Sequence, residues 1–293
     1  MEKHATLPRK STLYSYLMLT KPGIIFGNAI TAISGFALAS KGHFDLSLFL
    51  ATLQGLCLII AAGCVFNNYI DRTNDVKMAR TRARALPQGL ITPTNALCFG
   101  IALALLGTYL LATYTNPLAL GAALLGLFVY VFWYSFAKYR TVHGTLIGSI
   151  AGATPPLVGY CAASNHLNGA ALLLFALIVL WQMPHFYAIA IYRIQDYAKA
   201  SIPVLPLVKG MRATKIQMLL YIVAFGVVSC LLPILGYTTY IFLAVATSLN
   251  VAWLLLSMKG FKCTNDQMWA RKMFLFSLIV VTLQSIAIPL TAR

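Results

Sequence analysis

Uniformly apolar runs of about 20 residues recur along the whole chain, and each is long enough to cross the hydrocarbon core of a membrane as a helix. Apolar and polar residues do not alternate within the runs, which favours helices over the strands of a membrane barrel. The predicted spans are approximately 22–40, 47–70, 95–114, 117–137, 144–163, 169–192, 215–235, 238–257 and 271–290. The sequence therefore predicts an all-α, polytopic membrane protein with nine transmembrane helices.

The positive charges are distributed unevenly between the two sides of these spans. The net charge of +16 is large enough for nucleic-acid binding, but 20 of the 22 Lys and Arg residues fall on one side when the loops are assigned alternately. The other side receives only Lys41 and Arg293. This asymmetry follows the positive-inside rule, so it predicts a cytoplasmic N-terminus and argues against a nucleic-acid partner. We predict a single membrane domain over residues 1–293, with a cytoplasmic N-terminal segment at 1–20 and no cleaved signal peptide.

Acidic residues are scarce, and two of the six lie four positions apart at the end of the second span. Positions four and eight residues apart differ by only about 40° and 80° around a helix, so Asn67, Asp71 and Asp75 share one face. A row of oxygen ligands suits a hard cation such as Mg²⁺. Phosphate oxygens of a substrate often complete the coordination of this ion. The alternative is a solvated helix end whose carboxylates pair with nearby arginines.

A second basic loop, after the sixth predicted span, contains Asp196. Four predicted helices separate it from Asp71, and an even number of crossings returns the chain to the same side of the membrane. The two long loops can therefore converge, which predicts that Asp196 joins the acidic row. By itself Asp196 is equally compatible with a lone interfacial carboxylate neutralised by Arg193 or Lys199.

Basic residues on the predicted cytoplasmic side are candidates for binding a diphosphate, as bidentate forks or as point charges. The candidates are Arg80, Arg84, Lys138, Arg140, Arg193 and Lys199. Each also obeys the positive-inside rule, so topology alone is an alternative explanation for any one of them.

Two features lie within the predicted membrane region. Residues 151–156 (Ala-Gly-Ala-Thr-Pro-Pro) interrupt the fifth span, and the adjacent prolines free backbone carbonyls that protein or a cavity must satisfy. This predicts a pocket wall or a packed kink. His185 is a histidine well inside a span, so a contact with haem is one interpretation and a hydrogen-bonded neutral packing residue is the other.

Taken together, these motifs resemble the UbiA superfamily of intramembrane prenyltransferases and, within it, the protohaem IX farnesyltransferases. The resemblance covers nearly the whole chain. The superfamily motif is matched by Asn67, Asp71 and Asp75 with Arg80, Thr81 and Arg84 after them. The farnesyltransferase character lies in 151–156, in 181–186 (Trp-Gln-Met-Pro-His-Phe), in Tyr192-Arg193 with Asp196-Tyr197, and in 203–206 (Pro-Val-Leu-Pro).

The resemblance implies a UbiA-type bundle with a central cavity that opens on the cytoplasmic side of a bacterial inner membrane, and the positive-inside asymmetry over nine spans places the C-terminus on the other side, in the periplasm. It implies transfer of a farnesyl group from farnesyl diphosphate to a vinyl group of haem b, with Mg²⁺ as cofactor. Asn67, Asp71, Asp75 and Asp196 would hold the metal, and haem A synthase or the assembly of a terminal oxidase is a candidate partner. One departure is Ala200, which stands where the wider superfamily usually has a second aspartate four residues after the first.

Three alternatives remain open from the sequence. A UbiA-type enzyme with an aromatic quinone precursor as acceptor would share the acidic row. A transporter would place polar residues near the bilayer midplane, whereas here the acids gather at one end of the spans. A non-catalytic haem chaperone would not need Asp71 and Asp75.

Overall fold

The computed structural model describes residues 11–293, and these residues are mostly helical. The fourteen α-helices in this range are α1 (Thr12–Leu19), α2 (Pro22–Ser40), α3 (Leu46–Asp75), α4 (Pro93–Tyr114), α5 (Pro117–Phe128), α6 (Ser135–Ala137), α7 (Gly144–Gly152), α8 (Thr154–Ser164), α9 (Gly169–Tyr192), α10 (Ile194–Lys199), α11 (Leu205–Val208), α12 (Met211–Ile234), α13 (Tyr240–Lys259) and α14 (Asp266–Leu290). A π-helix (Val129–Tyr134) joins α5 to α6, and a 3₁₀ turn (Gly260–Lys262) extends α13.

By length and composition, nine helical stretches between residues 11 and 293 can span a membrane. They are α2, α3, α4, the stretch from α5 to α6, the stretch from α7 to α8, α9, α12, α13 and α14. The prediction of nine spans is confirmed, although some ends move. In particular α3 continues to Asp75, past the predicted end at 70, so the whole acidic row lies on one continuous helix. Of the predicted N-terminal segment, residues 1–10 lie outside the described range, and α1 occupies most of the rest.

The spans pack closely where small residues face one another. A Cβ atom at Gly35 of α2 would lie 2.1 Å from the carbonyl oxygen of Pro156, and one at Gly159 of α8 would lie 2.1 Å from that of Ala32. These two glycines therefore allow the backbones of α2 and α8 to touch, as small residues commonly do between membrane helices.

At the other end of the chain, α14 packs against α2, α9 and α13. The last span thus closes the bundle against the first.

The fifth span is broken, as the sequence predicts, between α7 and α8. Pro155 and Pro156 have no N–H groups to donate to the carbonyls of the preceding turn. The Thr154 hydroxyl donates to the Ala151 carbonyl at 2.9 Å, and Nε2 of Gln182 donates to the Ser149 carbonyl at 3.0 Å. Side chains of the protein therefore satisfy carbonyls that the break leaves unpaired, and Gln182 ties the broken span to α9.

Candidate active site

A cavity of about 720 Å³ lies along α3 in the interior of the bundle. Leu56, Ile59 and Gly63 line its apolar part, and Asn67 and Asp75 line its polar end. At about 1.5 Å per residue, the stretch from Leu56 to Asp75 makes roughly 28 Å of one wall. The opposite walls come from α2, α5, α7, α8, α9 and α14. The cavity is therefore long enough for an extended apolar chain, with ionisable groups concentrated at one end.

The three members of the acidic row are almost completely buried, with Asn67, Asp71 and Asp75 exposed by 3%, 2% and 1%. Asp71 accepts a hydrogen bond of 2.5 Å from the Lys138 ammonium and one of 2.6 Å from the Tyr139 hydroxyl. Such burial is not that of a solvated helix end, although Asp75 does pair with a nearby arginine as that alternative expects. It also requires partners, because an unpaired carboxylate in this position would be costly.

The other two members of the row have basic partners from different parts of the chain. Asp75 pairs with Arg84 at 2.7 Å, and the Asn67 amide oxygen accepts a hydrogen bond of 2.7 Å from Nζ of Lys21. Three cations from three separate segments thus converge on one helical face. Lys21 precedes α2, Arg84 lies in the loop after α3, and Lys138 follows α6.

The loop after α3 folds back because its own side chains tie it to the helix end. The buried Thr81 hydroxyl donates to the Asp75 carbonyl at 2.8 Å, which satisfies one of the carbonyls left open at a helix C-terminus. This hydrogen bond turns the chain so that Arg84, nine residues on, reaches the Asp75 carboxylate.

The second basic loop does meet the first, as the even number of crossings predicts. Asp196 is buried and accepts a hydrogen bond of 3.3 Å from the Ala79 backbone N–H. The neighbouring Tyr197 lines the cavity, and the Arg80 guanidinium lies 5.6 Å from the centre of its ring. Asp196 itself is not among the lining residues. The structure thus places it as the residue that docks the two loops together and not within the acidic row.

The six predicted diphosphate-binding cations divide into two groups. Arg80, Arg84 and Lys138 line the cavity. The exposed Arg140 instead lies over the Phe136 ring at 3.9 Å. The remaining two, Arg193 and Lys199, are exposed and also lie outside the lining.

His185 lines the cavity from α9 and is buried, with 8% of its surface exposed. Its ring stacks on Trp181 with 4.7 Å between the ring centres. Both side chains are hydrogen-bonded to Ser277 of α14. The structure therefore combines the two interpretations of His185, since it is hydrogen-bonded and also faces the cavity.

Comparison with known protein families identifies the family to which this chain belongs. The model of the UbiA prenyltransferase family matches residues 28–279, which include seven of the nine described spans completely, parts of the first and the last, and the whole acidic row. The chain belongs to the UbiA prenyltransferase family.

Curated relatives of this UbiA-family chain have a more specific name. A protoheme IX farnesyltransferase of Protochlamydia amoebophila (strain UWE25) is 54% identical over 274 residues, which cover 94% of this chain and 97% of the relative. A protoheme IX farnesyltransferase of Serratia proteamaculans (strain 568) is 52% identical over 272 residues, 92% of each chain.

Solved structures show the same fold at lower sequence identity. A structure of digeranylgeranylglyceryl phosphate synthase superposes with a TM-score of 0.80 at 21% identity, covering 96% of this chain and 98% of that one. A UbiA homologue from Archaeoglobus fulgidus bound to GPP and Mg²⁺ superposes with a TM-score of 0.71 at 14% identity, covering 94% and 100%. These likenesses establish the UbiA bundle for the nine spans.

The sequence reasoning missed two groups that contact the acidic row. In the sequence, Lys21 is only one of many positive charges. In the structure, its backbone adopts a left-handed conformation (φ 53°) immediately before α2. Burial of its ammonium, with Arg84 nearby, lowers the pKa of Lys21 to about 8. The second group is Tyr139, whose hydroxyl donates to Asp71 and whose pKa burial raises to about 12. The Lys-Pro pair at the start of the first span was the available signal for Lys21.

Lys138 behaves differently from Lys21, although both ammonium groups are shielded from solvent. Burial disfavours its charged form, but the adjacent Asp71 carboxylate outweighs this effect and raises the pKa of Lys138. Lys138 therefore keeps its charge above neutral pH, whereas Lys21 in the free protein loses its proton as the pH rises through about 8.

The π-helix is a further feature that the sequence did not predict. It brings Tyr130 and Tyr134 into a parallel stack, 5.4 Å between ring centres at 8°, and both rings line the cavity. Gly63 and Gly148 leave room for them, since a Cβ atom would lie 3.3 Å from Tyr130 at the first and 2.8 Å from Tyr134 at the second. π-Helices of this kind occur frequently at functional sites.

The donor chemistry of the row fits a magnesium ion bound together with a phosphate group. Asp71 and Asp75 offer oxygen atoms only, which are the ligands that Mg²⁺ prefers, whereas the predicted third ligand, the Asn67 amide oxygen, already accepts the Lys21 ammonium. Nδ2 of Asn67 is buried without a hydrogen-bond partner within residues 11–293, and a phosphate oxygen would satisfy this donor. Across the same residues no three His, Cys, Asp or Glu side chains form a metal-binding group. Water and phosphate oxygens would therefore complete the coordination in place of Asp196.

Proposed function

We propose that this chain transfers the farnesyl group of farnesyl diphosphate to a vinyl group of haem b, giving haem O and diphosphate. The single observation that supports this most directly is the convergence of Lys21, Arg84 and Lys138 on the buried acidic row at the end of a long apolar cavity. The haem acceptor is inferred from relatives more than 50% identical over nearly the whole chain, named protoheme IX farnesyltransferase.

The polar end of the cavity would bind the diphosphate of the donor. Lys21, Arg84 and Lys138 surround the position that the phosphate oxygens would take, with Arg80 at the edge. A magnesium ion held by Asp71 and Asp75 would supply further positive charge to stabilise the departing diphosphate, and the Asn67 NH₂ group would donate to a phosphate oxygen. Since contacts with the acidic row hold Lys21, Arg84 and Lys138 in place before substrate binds, little reorganisation is needed when charge develops on the leaving group.

The apolar part of the cavity would hold the farnesyl chain and the porphyrin. The bond between C1 of the farnesyl group and the diphosphate oxygen breaks, and its electron pair leaves with the diphosphate. The vinyl group donates its π electrons to C1, so a carbon–carbon bond forms. Water then adds to the other vinyl carbon and loses a proton. The stacked Tyr130 and Tyr134 rings present aromatic surface to the electron-poor carbon, and the dry walls delay its hydrolysis.

We propose a location in the bacterial cytoplasmic membrane, with the N-terminus and the acidic row on the cytoplasmic side and the C-terminus in the periplasm. The positive-inside distribution supports this orientation. Haem O would pass to a haem A synthase or to an assembling terminal oxidase, and these are the partners we propose.

Mass spectrometry of porphyrin products tests the reaction. The purified protein in nanodiscs, supplied with farnesyl diphosphate and Mg²⁺, should convert haem b to haem O and leave 4-hydroxybenzoate unchanged. Chelation of divalent ions should stop the conversion. The Asp71→Asn/Asp75→Asn double variant should lower the rate by at least about 100-fold, as expected for loss of groups that stabilise transition-state charge.

Asp45→Asn is the matched control, because Asp45 is the exposed N-cap of α3 at the other end of the same helix. It should convert haem b at the wild-type rate. Prenylation of 4-hydroxybenzoate instead of haem b would show a different acceptor, and normal haem O formation by the double variant would contradict the proposed role of the acidic row.

A further inference from the structure

Ser277 of α14 is held between two aromatic side chains of α9. The Trp181 indole donates from Nε1 to the Ser277 carbonyl at 2.8 Å. Nδ1 of His185 lies 2.7 Å from the Ser277 hydroxyl oxygen. Ser277 is completely buried, so its hydroxyl must be satisfied by these protein groups.

The hydroxyl of Ser277 determines which nitrogen of His185 holds the proton. A serine hydroxyl has one hydrogen to donate, and here that hydrogen goes to the Phe274 carbonyl at 2.6 Å. Toward His185 the hydroxyl oxygen can therefore only accept, so Nδ1 of the imidazole must be the donor. The neutral ring then has its free lone pair on Nε2, and within residues 11–293 no hydrogen bond occupies that nitrogen.

The surroundings of His185 favour a ring that stays neutral. Its ring contacts are Trp181, Phe186 and Phe274, at 4.7, 5.3 and 5.1 Å between centres. Its one hydrogen-bond partner is a neutral serine, and no carboxylate is paired with it in the described part of the chain. A proton acceptor in catalysis would gain a positive charge in this apolar setting, whereas a metal ligand needs only the lone pair.

We propose that Nε2 of His185 binds the iron of the haem acceptor and that Ser277 is a positioning residue, which fixes the tautomer and the orientation of the ring. The inference rests on the proposed function for the presence of haem in the cavity. The hydrogen bond from Nδ1 plays the part that outer partners of metal-bound histidines commonly play, orienting the ring and adjusting its basicity. The stack on Trp181 restricts rotation of the same ring.

A comparison of two porphyrins, one with iron and one without, separates binding through the iron from general occupancy of the cavity. Haem b and metal-free protoporphyrin IX have the same vinyl groups and propionates, so the ratio of their dissociation constants reports the iron contact. The wild type in nanodiscs should bind haem b more than about tenfold more tightly than protoporphyrin IX. The His185→Ala variant should lose this preference while its affinity for protoporphyrin IX stays within about twofold. The proposal would be overturned if His185→Ala lost affinity equally for both porphyrins, or if it lost affinity for neither.

Ser277 is tested by substitutions that keep or remove the hydroxyl. Ser277→Ala should reduce the preference for haem b by about tenfold, the scale of outer-partner effects at metal sites, and Ser277→Thr should retain most of it. Ser285→Ala is the control, a buried serine on the same helix outside the cavity lining. An unchanged preference in Ser277→Ala would remove Ser277 from the proposal.

A spectroscopic measurement on the wild type decides the question even where a variant fails to fold. The ferrous haem complex should show an iron–histidine stretching band in its resonance Raman spectrum. The band should disappear in His185→Ala and return when imidazole is added, and it should shift to lower frequency in Ser277→Ala. A wild-type complex without an iron–histidine band would overturn the inference regardless of the variants.

These binding measurements contain no farnesyl diphosphate, so their outcome is independent of turnover. If haem binds through His185 but no haem O forms, the proposed reaction fails and the iron site stands. If haem O forms in the absence of an iron–histidine band, the reaction stands and the assignment of Nε2 fails.

Discussion

Lys21 and Asn67, 46 positions apart in the chain, are joined by a hydrogen bond of 2.7 Å from Nζ to the amide oxygen. This contact attaches the entry of the first span to the start of the acidic row. It also orients the amide so that its NH₂ group, buried and without a partner in the described residues, is the group available to an anion. One lysine thus connects helix packing with the binding chemistry of the site.

The charge of Lys21 should make diphosphate binding dependent on pH. Its pKa is lowered to about 8 by burial, so in the free protein it loses its proton as the pH rises through 8. Folding stability then increases with pH between about 8 and the usual lysine value, because the unfolded chain binds the extra proton. Diphosphate affinity should change in the opposite direction, since the bound anion requires the ammonium.

Inorganic diphosphate itself titrates in this range, so the wild type must be compared with Lys21→Arg, whose side chain stays charged. Isothermal titration at pH 7 and pH 9 should show a larger loss of affinity in the wild type than in the variant. Identical pH profiles for the two proteins would exclude Lys21 from the diphosphate site.

Lys138 and Arg140 form a natural pair for comparison, since they are two residues apart and only Lys138 reaches Asp71. Lys138→Met leaves a buried carboxylate without its cation, which should cost about 3 kcal/mol of stability and weaken diphosphate binding by at least about tenfold. Arg140→Met should change both by little, because its side chain is exposed. Thermal unfolding and titration with farnesyl diphosphate measure the two effects. Equal effects of the two substitutions would argue against the pairing.

Asp196 should affect the donor site through the position of the first basic loop. Asp196→Ala removes the acceptor of the Ala79 N–H and frees the loop that contains Arg80 and Arg84. We expect farnesyl diphosphate to bind about tenfold more weakly and haem b to bind normally, with the same Mg²⁺ requirement. Arg193→Gln, a change of an exposed neighbour, is the control. A large shift in the Mg²⁺ concentration needed for half-maximal activity would instead identify Asp196 as a metal ligand.

The contact between the first span and the broken fifth span should be intolerant of added volume. Gly35→Ala places a methyl group against the Pro156 carbonyl, which should cost about 1–3 kcal/mol as overpacking. Gly121→Ala is the matched helical control, because nothing lies within 4 Å of its added Cβ. It should leave the melting temperature in nanodiscs unchanged or slightly higher. Comparable losses in both variants would contradict the close approach of α2 and α8.

The acidic row illustrates how far sequence reasoning reached into the site. The spacing of Asn67, Asp71 and Asp75 was sufficient to put them on one face, because a helix converts spacing into direction. The same reasoning could not choose among the cations. Lys138 and Arg140 look alike in the sequence, yet the end of α6 turns one toward Asp71 and the other over Phe136.

The amino-acid sequence alone determined the nine spans, the side on which the positive charges collect and the shared face of the acidic row, because hydrophobicity and helical period are properties of neighbouring residues. Only the tertiary structure decided that Lys21 reaches Asn67, that Asp196 docks a loop, that a π-helix stacks two tyrosines and that the Ser277 hydroxyl lies against Nδ1 of His185. Each of these depends on the approach of distant segments. Long side chains and buried donors find their partners only when the helices that hold them have packed.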